Sequence, residues 1–285
     1  MKLAFSKYHG LGNDFILIDN RAQRELLVTA TQAQQLCDRH FGVGANGVIF
    51  LCATTDPACD YQMAMYNSDG SVAEMCGNGI RCLAKFIAAL ESHALDQAWI
   101  YRVQTLAGVM TLNLQTDGRV SVNMGTPKLL ASEIPTTLTE PDQKVIDIPL
   151  DVAGQTWQLT CVSMGNPHAI TFVENVAAIP LAELGPQFEH HSLFPQRTNT
   201  EFVEVIRPDY LKMRVWERGA GATLACGTGA CATVVAGVLT QRALPQATVE
   251  LPGGCLDIDW QQTTQTIYMT GPANHVFDGV TDLED

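Results

Sequence analysis

Two stretches of the chain are near copies of one another, and that duplication restricts the fold more than any other feature. Residues 75–86 read MCGNGIRCLAKF and residues 225–236 read ACGTGACATVVA. Both open with a small or apolar residue, then Cys-Gly, a polar residue and Gly, and run on into apolar helix-forming sequence. The cysteines, Cys76 and Cys226, stand 150 residues apart. Upstream, Gly12-Asn13 in HGLGNDFILID matches Gly165-Asn166 in SMGNPHAITFV, 153 residues on. Each Gly-Asn leads into a β-rich apolar run. Matched pairs at nearly one offset indicate two similar halves, each a Gly-Asn strand unit followed by a Cys-Gly-x-Gly helix.

Periodicity supplies the coarse elements. Residues 120–124, 158–163, 202–206, 212–216 and 266–269 read as strands. Helices are expected over 30–40, 77–91 and 227–243, with a short piece around 181–184. The 227–243 helix is apolar on every face until Gln241, which requires burial. The 77–91 helix is similar apart from Arg81 and Lys85, four residues apart on one stripe. The expected fold class is therefore α/β: two pseudo-symmetric halves, each a mixed or antiparallel β-sheet wrapped around a central buried helix. Gly125-Thr126-Pro127 is a natural break between a first half over 1–125 and a second over 126–269, since Gly and Pro interrupt both element types.

Composition narrows the function classes. The chain has 285 residues, 46% of them hydrophobic and 16% charged, ample for a real core. No apolar run approaches the ~18 residues of a membrane span. Lys7 and His9 stand where the apolar core of an export signal would lie, so the expected location is the cytoplasm. A net charge of −13 argues against nucleic acid, whose binding depends on neutralising phosphates. Nine cysteines without an export signal or a CxxC are read as mostly free thiols, with no structural zinc site.

Cys-Gly-x-Gly opening a buried helix has definite chemistry. The first amide groups of a helix lack intrahelical partners and sit at its positive end, and glycines let a ligand approach the backbone. The result suits a carboxylate. A cysteine there is expected to ionise more readily than the reference ~8.5. Inverting a stereocentre means removing a proton from one face and delivering one to the other, and two thiols, one per half, supply a base and an acid. Asn67 and Glu217 each precede their cysteine by nine residues. Glu217 is suited to hold a thiol or receive its proton, and His168 is the counterpart for the other cysteine. Arg218, Asn166 and Asn199 offer donors for a carboxylate, Arg218 bidentately. No lysine sits in a cofactor motif, and no GxGxxG or GxxxxGK[ST] follows a strand, so neither pyridoxal phosphate nor a nucleotide is expected.

KYHGLGNDFILID, NSDGSVAEMCGNGIRC, SMGNPHA, RTNTEFVEV, ERGAGATLACGTGACA and the closing MTGPANHVFDG resemble, in order, the motifs of the diaminopimelate epimerases. The resemblance implies interconversion of LL- and meso-2,6-diaminopimelate in lysine and peptidoglycan precursor synthesis, without a cofactor. It implies Cys76 and Cys226 as catalytic thiols, assisted by His168 and Glu217. The backbones of Gly77, Asn78, Gly227 and Thr228 would hold the reacting carboxylate. Asn13, Asn67, Asn166, Asn199, Glu217 and Arg218 would contact the amino groups and distal carboxylate. It further implies a tail, about 270–285, packed back on the first half, and a homodimer, although the residues themselves are silent on assembly. Two departures stand out. Gly47 occupies a position where some relatives carry a substrate-reaching Gln, and Ala222 replaces an acidic residue.

Rival readings have distinct marks. A proline or hydroxyproline racemase shares the double-cysteine plan, but a small cyclic substrate has no use for Arg218 and the asparagines. In a phenazine-biosynthesis-like isomerase an acidic residue takes over from the cysteines, and both are kept here. A non-catalytic amino-acid-binding or redox-sensing protein would bind ligand without exchanging its Cα hydrogen.

Overall fold

The computed structural model describes residues 1–94 and 96–283. The chain separates into two compact units, Met1–Asn123 with Thr270–Asp285, and Met124–Met269. The first unit contains β1 (Lys2–Gly10), β2 (Asn13–Asp19), α1 (Ala30–Cys37), β3 (Gly47–Cys52), β4 (Tyr61–Asn67), α2 (Gly77–Leu90), β5 (Trp99–Thr105), β6 (Gly108–Leu114) and β7 (Val120–Asn123). The second contains β8 (Ile148–Val152), β9 (Gln155–Ser163), β10 (Pro167–Phe172), α3 (Leu181–Glu189), β11 (Asn199–Arg207), β12 (Tyr210–Glu217), β13 (Gly221–Ala222), α4 (Gly227–Leu239), β14 (Gln246–Leu251) and β15 (Gly254–Gln261). The strand β16 (Thr266–Gly271) carries the chain back to the first unit, where β17 (Asn274–Asp282) pairs antiparallel with β1.

Strand pairing displays the duplication. In the first unit the sheet runs β17-β1-β2-β3-β4-β5-β6, its successive pairs antiparallel, antiparallel, parallel, antiparallel, parallel and antiparallel. In the second it runs β8-β9-β10-β11-β12-β14-β15, with the same succession of directions. The counterpart of β2 and β3 is thus β10 and β11. Parallel neighbours need a crossover, and α1 and α3 supply it at these positions. The next crossover carries α2 in one unit and α4 in the other.

Each of these second helices is enclosed by strands. Helix α2 touches β1, β2, β3, β6, β7 and β17, and α4 touches β9, β10, β11, β14 and β15. Ala232 through Gly237 are all buried, as an all-apolar helix surface demands. Both helices end alike. Beyond α2, Ser92 takes φ 53° and its amide bonds Ala89 O, while His93 N bonds Ala88 O at 2.9 Å. Beyond α4, Gln241 takes φ 60° and bonds Val238 O at 3.1 Å, while Arg242 N bonds Gly237 O at 2.7 Å. These are Schellman caps with a non-glycine residue in the left-handed position. They explain why α4 stops at Leu239 rather than continuing to 243. Helix α1 ends before residue 40 for a different reason: the Asp38 carboxylate accepts the amides of His40 and Phe41 and turns the chain. In contrast, α3 runs on to Glu189 with Pro186 inside it.

Helices α1 and α3 cover smaller apolar clusters. Ala33 and Leu36 of α1 pack with Ile16, Ile18, Val48 and Phe50. In the second unit the rings of Trp157, Phe188 and Phe202 meet edge to face, every pair of centroids 5.6–5.7 Å apart. Among the described residues no helix is long and apolar enough to cross a membrane. Because Phe202 is wholly buried in that triad, Phe202→Ala is expected to lower stability by about 3–5 kcal/mol, read from the urea midpoint of the second unit. A loss under about 1 kcal/mol would contradict the packing described.

Candidate active site

In the first unit Cys76 is the N-cap of α2, half-buried, with extended backbone at φ −137° and ψ 120°. Its Sγ lies 3.7 Å from Asn13 Oδ1, and Asn78 Nδ2 donates to the same oxygen at 3.1 Å. Asn13 is delivered by the tight β1–β2 hairpin, whose loop residues Leu11 and Gly12 both take positive φ. The turn behind the thiol is anchored by Arg81, which is fully buried. Its guanidinium donates to Gly77 O and Asn78 Oδ1, both at 2.9 Å, and to Pro272 O at 3.3 Å. Asn67 ends β4 and donates to Ser71 Oγ at 2.9 Å. It pairs across the strands with Gly47, where an added Cβ would sit 2.7 Å from Tyr66 O. A side chain here would require the neighbouring strand to shift.

In the second unit Cys226 caps α4 at φ −125° and ψ 106°, and is buried. Its Sγ stands 3.6 Å from Thr228 Oγ1. Asn166 donates from Nδ2 to that hydroxyl at 3.3 Å and presents Oδ1 to His168 Nε2 at 3.1 Å. Glu217, at the end of β12, accepts from the Thr223 hydroxyl and lies close enough to Cys226 for each to feel the other's charge. Asn199 spends both its groups within the protein: Nδ2 donates to Pro167 O at 2.7 Å, and Oδ1 accepts the Arg218 amide at 2.9 Å. Arg218 itself is exposed and donates to Gln196 O at 3.1 Å. Gly227 and Thr228 form the first turn of α4.

The structure thus gathers Asn13, Gly77, Asn78 and Arg81 around Cys76, and Asn166, His168, Glu217 and Thr228 around Cys226. His168, expected to serve the other cysteine, stands in the Cys226 cluster. One residue of that cluster escaped sequence reasoning. Glu201 is fully buried on β11, and its Oε1 lies 2.7 Å from His168 Nδ1. It lies within RTNTEFVEV, from which sequence reading singles out only Asn199. Laying β11 over β3, which sets Glu201 against Ile49, would have exposed it. Ligand atoms of His168, Glu201 and Cys226 lie within 4.8 Å of one another, close enough for a cation. In this structure the imidazole and carboxyl are instead hydrogen-bonded to each other.

Electrostatics revise one expectation. Burial pushes the Cys226 thiol well above its ordinary range, and the nearby charges of Glu217 and Glu201 push it further, only partly offset by Thr228. A helix end contributes about 0.3–1 kcal/mol to an exposed anion, too little to outweigh desolvation and two carboxyls. Cys226 therefore rests as a thiol, suited to give a proton. Burial likewise raises Glu217. A thiol raised in this way labels slowly at neutral pH and faster as pH rises. Iodoacetamide is expected to modify Cys226 slowly at pH 7, and Glu217→Gln, which removes a repelling charge, to speed that labelling several-fold at pH 8. Peptide mapping by mass spectrometry checks both, and equal rates in variant and parent would contradict the assignment.

Comparisons with other proteins bear on the family and the fold. The diaminopimelate epimerase family profile matches residues 5–130 and 160–276. A protein from Cyanothece sp. named diaminopimelate epimerase is 65% identical over 280 residues, covering 98% of this chain and 100% of its own. One of the same name from Thermosynechococcus vestitus is 65% identical over 284 residues, covering 98% and 99%. Among solved structures, a hydroxyproline epimerase from Agrobacterium vitis with bound trans-4-hydroxy-L-proline superposes with a TM-score of 0.72 at 13% identity, covering 100% of this chain and 93% of that one. A phenazine biosynthesis protein from Bacillus anthracis gives 0.68 at 16%, covering 99% of each. At such identities the last two share the fold alone. With its profile matched in both halves and relatives this similar over their whole length, the chain belongs to the diaminopimelate epimerase family.

Proposed function

We propose that the chain inverts an α-carbon of 2,6-diaminopimelate, interconverting the LL and meso forms by proton transfer through Cys76 and Cys226. The observation that carries this reading is the repeated helix start: in both units a cysteine is the N-cap of the strand-enclosed helix, followed by Gly-x-Gly. One sulfur, as thiolate, takes the α-proton, and the other, as thiol, returns one to the opposite face. The protonated resting state of Cys226 supports its part as acid when Cys76 is base, and the roles exchange in the reverse direction. Glu217, whose charge acts on Cys226, is the group through which that thiol is re-protonated.

Deprotonation sends negative charge toward the substrate carboxylate. The first-turn amides at Gly77 and Asn78, and at Gly227 and Thr228, point at the positive ends of their helices and stabilise it. Asn13, Asn67, Asn166 and the Arg218 guanidinium bind the amino groups and distal carboxylate, with Asn199 supporting Arg218 from behind. Thiol chemistry of this kind calls on no cofactor. The same reading places the enzyme in the cytoplasm as a homodimer. The exposed side chains of Val276, Phe277 and Val280 on β17 support a second copy as partner.

LL-diaminopimelate in deuterated water, with no cofactor added, is expected to acquire deuterium at the α position as it turns over. Cys76→Ser and Cys226→Ser are each expected to lower kcat by about 10²–10⁴-fold or more, because a serine hydroxyl does not ionise near neutral pH. Near-parental turnover in either variant ends the two-thiol reading. Arg218→Ala is expected to raise KM for diaminopimelate roughly tenfold or more, the worth of a charged hydrogen bond, while weakening amino acids with one carboxylate far less. Equal weakening of both would remove Arg218 from the distal-carboxylate role.

A further inference from the structure

The duplication allows each residue near Cys226 to be compared with its counterpart near Cys76. In the parallel pair β2–β3, Phe15 aligns with Gly47 and Leu17 with Ile49. In β10–β11, His168 aligns with Asn199 and Ile170 with Glu201. His168 therefore occupies the position of Phe15, and Glu201 that of Ile49. Both positions lie directly beneath the cysteine-bearing turn. A Cβ added to Gly79 would meet Ile49 Cδ1 at 2.7 Å and Phe15 Cζ at 3.4 Å, and one added to Gly229 would meet Glu201 Oε1 at 2.7 Å. The first unit fills this space with an apolar contact, the second with an imidazole and a carboxyl, all four side chains essentially inaccessible.

A buried polar pair is no more stabilising than a well-packed apolar one at the same place, and is often less so. Glu201 also keeps Oε2 buried without a hydrogen-bond partner among the described residues, a further cost. The carboxyl thus has a use other than stability, and His168 shows what it is. Asn166 Nδ2 is engaged by Thr228 Oγ1, which leaves Oδ1, an acceptor, facing the ring. Nε2 accordingly carries a hydrogen. At the other nitrogen stands a carboxyl oxygen at 2.7 Å. Hydrogen bonds then run from Glu201 through His168, Asn166 and Thr228 to Cys226 Sγ.

We propose that Glu201 is a positioning residue for the Cys226 half of the reaction: its carboxylate holds the His168 ring in one orientation, protonated at both nitrogens. The charged groups facing the ring's surroundings are then one imidazolium against Glu201 and Glu217. When Cys226 gives up its proton to the substrate carbanion, the cation stands beside the thiolate left behind. No proton leaves the Glu201–His168 pair in that step. Glutamine in place of Glu201 keeps the shape and removes the charge that secures the second proton. Isoleucine removes the carboxyl altogether and leaves the His168 ring without that partner. The inference rests on the two-thiol reading for its kinetic consequence but not for its structural one.

The experiment pairs spectroscopy with kinetics. In protein labelled with ¹⁵N-histidine, the His168 resonances, assigned by their absence in His168→Phe, are expected to show both nitrogens protonated at pH 7, and Glu201→Gln to convert the ring to a neutral tautomer. Glu201→Gln and Glu201→Ile are both expected to lower kcat about a hundredfold with KM changed less than about threefold. A neutral ring in the parent, or a ring unchanged in Glu201→Gln, overturns the proposal whatever the kinetics. Parental kcat in a folded Glu201→Ile overturns it as well. Failure of the two-thiol reading would appear separately, as full turnover in Cys226→Ser with the His168 spectrum still altered by Glu201→Gln.

Discussion

A close approach of the cysteine-bearing helix to the strand beneath it organises each half of the molecule. At Gly79 and at Gly229 the helix backbone comes so near the strand beneath that a single added carbon would lie 2.7 Å from Ile49 in one unit and Glu201 in the other. A larger residue there would push those side-chain ends aside. The close approach lets the first turn of α2 and α4 press into the strands around it, and so sets where each capping cysteine and each first-turn amide stands. The glycine that draws a ligand to the backbone in a sequence reading is, in three dimensions, equally the glycine that seats the helix.

Upon this shared framework the two half-sites are chemically unlike. Cys76 is half-buried among amides and a buried arginine, whereas Cys226 is buried beside two carboxyls and an imidazole. The helix end favours a thiolate in both. At Cys226 desolvation and like charge are larger, and the thiol keeps its proton. In the proposed two-base scheme one sulfur is acid and the other base at any moment, and unequal surroundings for the two suit that division.

Much of the architecture was legible in residues. The strand-enclosed helices were visible in the apolar runs after Cys76 and Cys226, and the succession of parallel and antiparallel pairs repeats as the matched motifs imply. Ends were less legible. Helix α1 stops early because the Asp38 side chain competes for amides, and α4 stops because Gln241 adopts a left-handed conformation that its identity does not announce. Within the cluster around Cys226, Asn166, His168, Glu217 and Thr228 came from motif and spacing. Glu201 did not, because its meaning depends on lying opposite an apolar residue in the other half.

The sequence by itself determined that this chain is a duplicated α/β protein with a thiol at the start of each buried helix, because spacing, glycine and apolar periodicity are properties of the chain alone. Only the tertiary structure decided how those thiols differ. Whether a thiol is deprotonated depends on burial and on which charges lie within a few ångströms, and those are set by strand register: β10 against β11 brings Glu201 to His168, and β12 ends with Glu217 at Cys226. Such neighbours are far apart in the chain, and no local pattern records them.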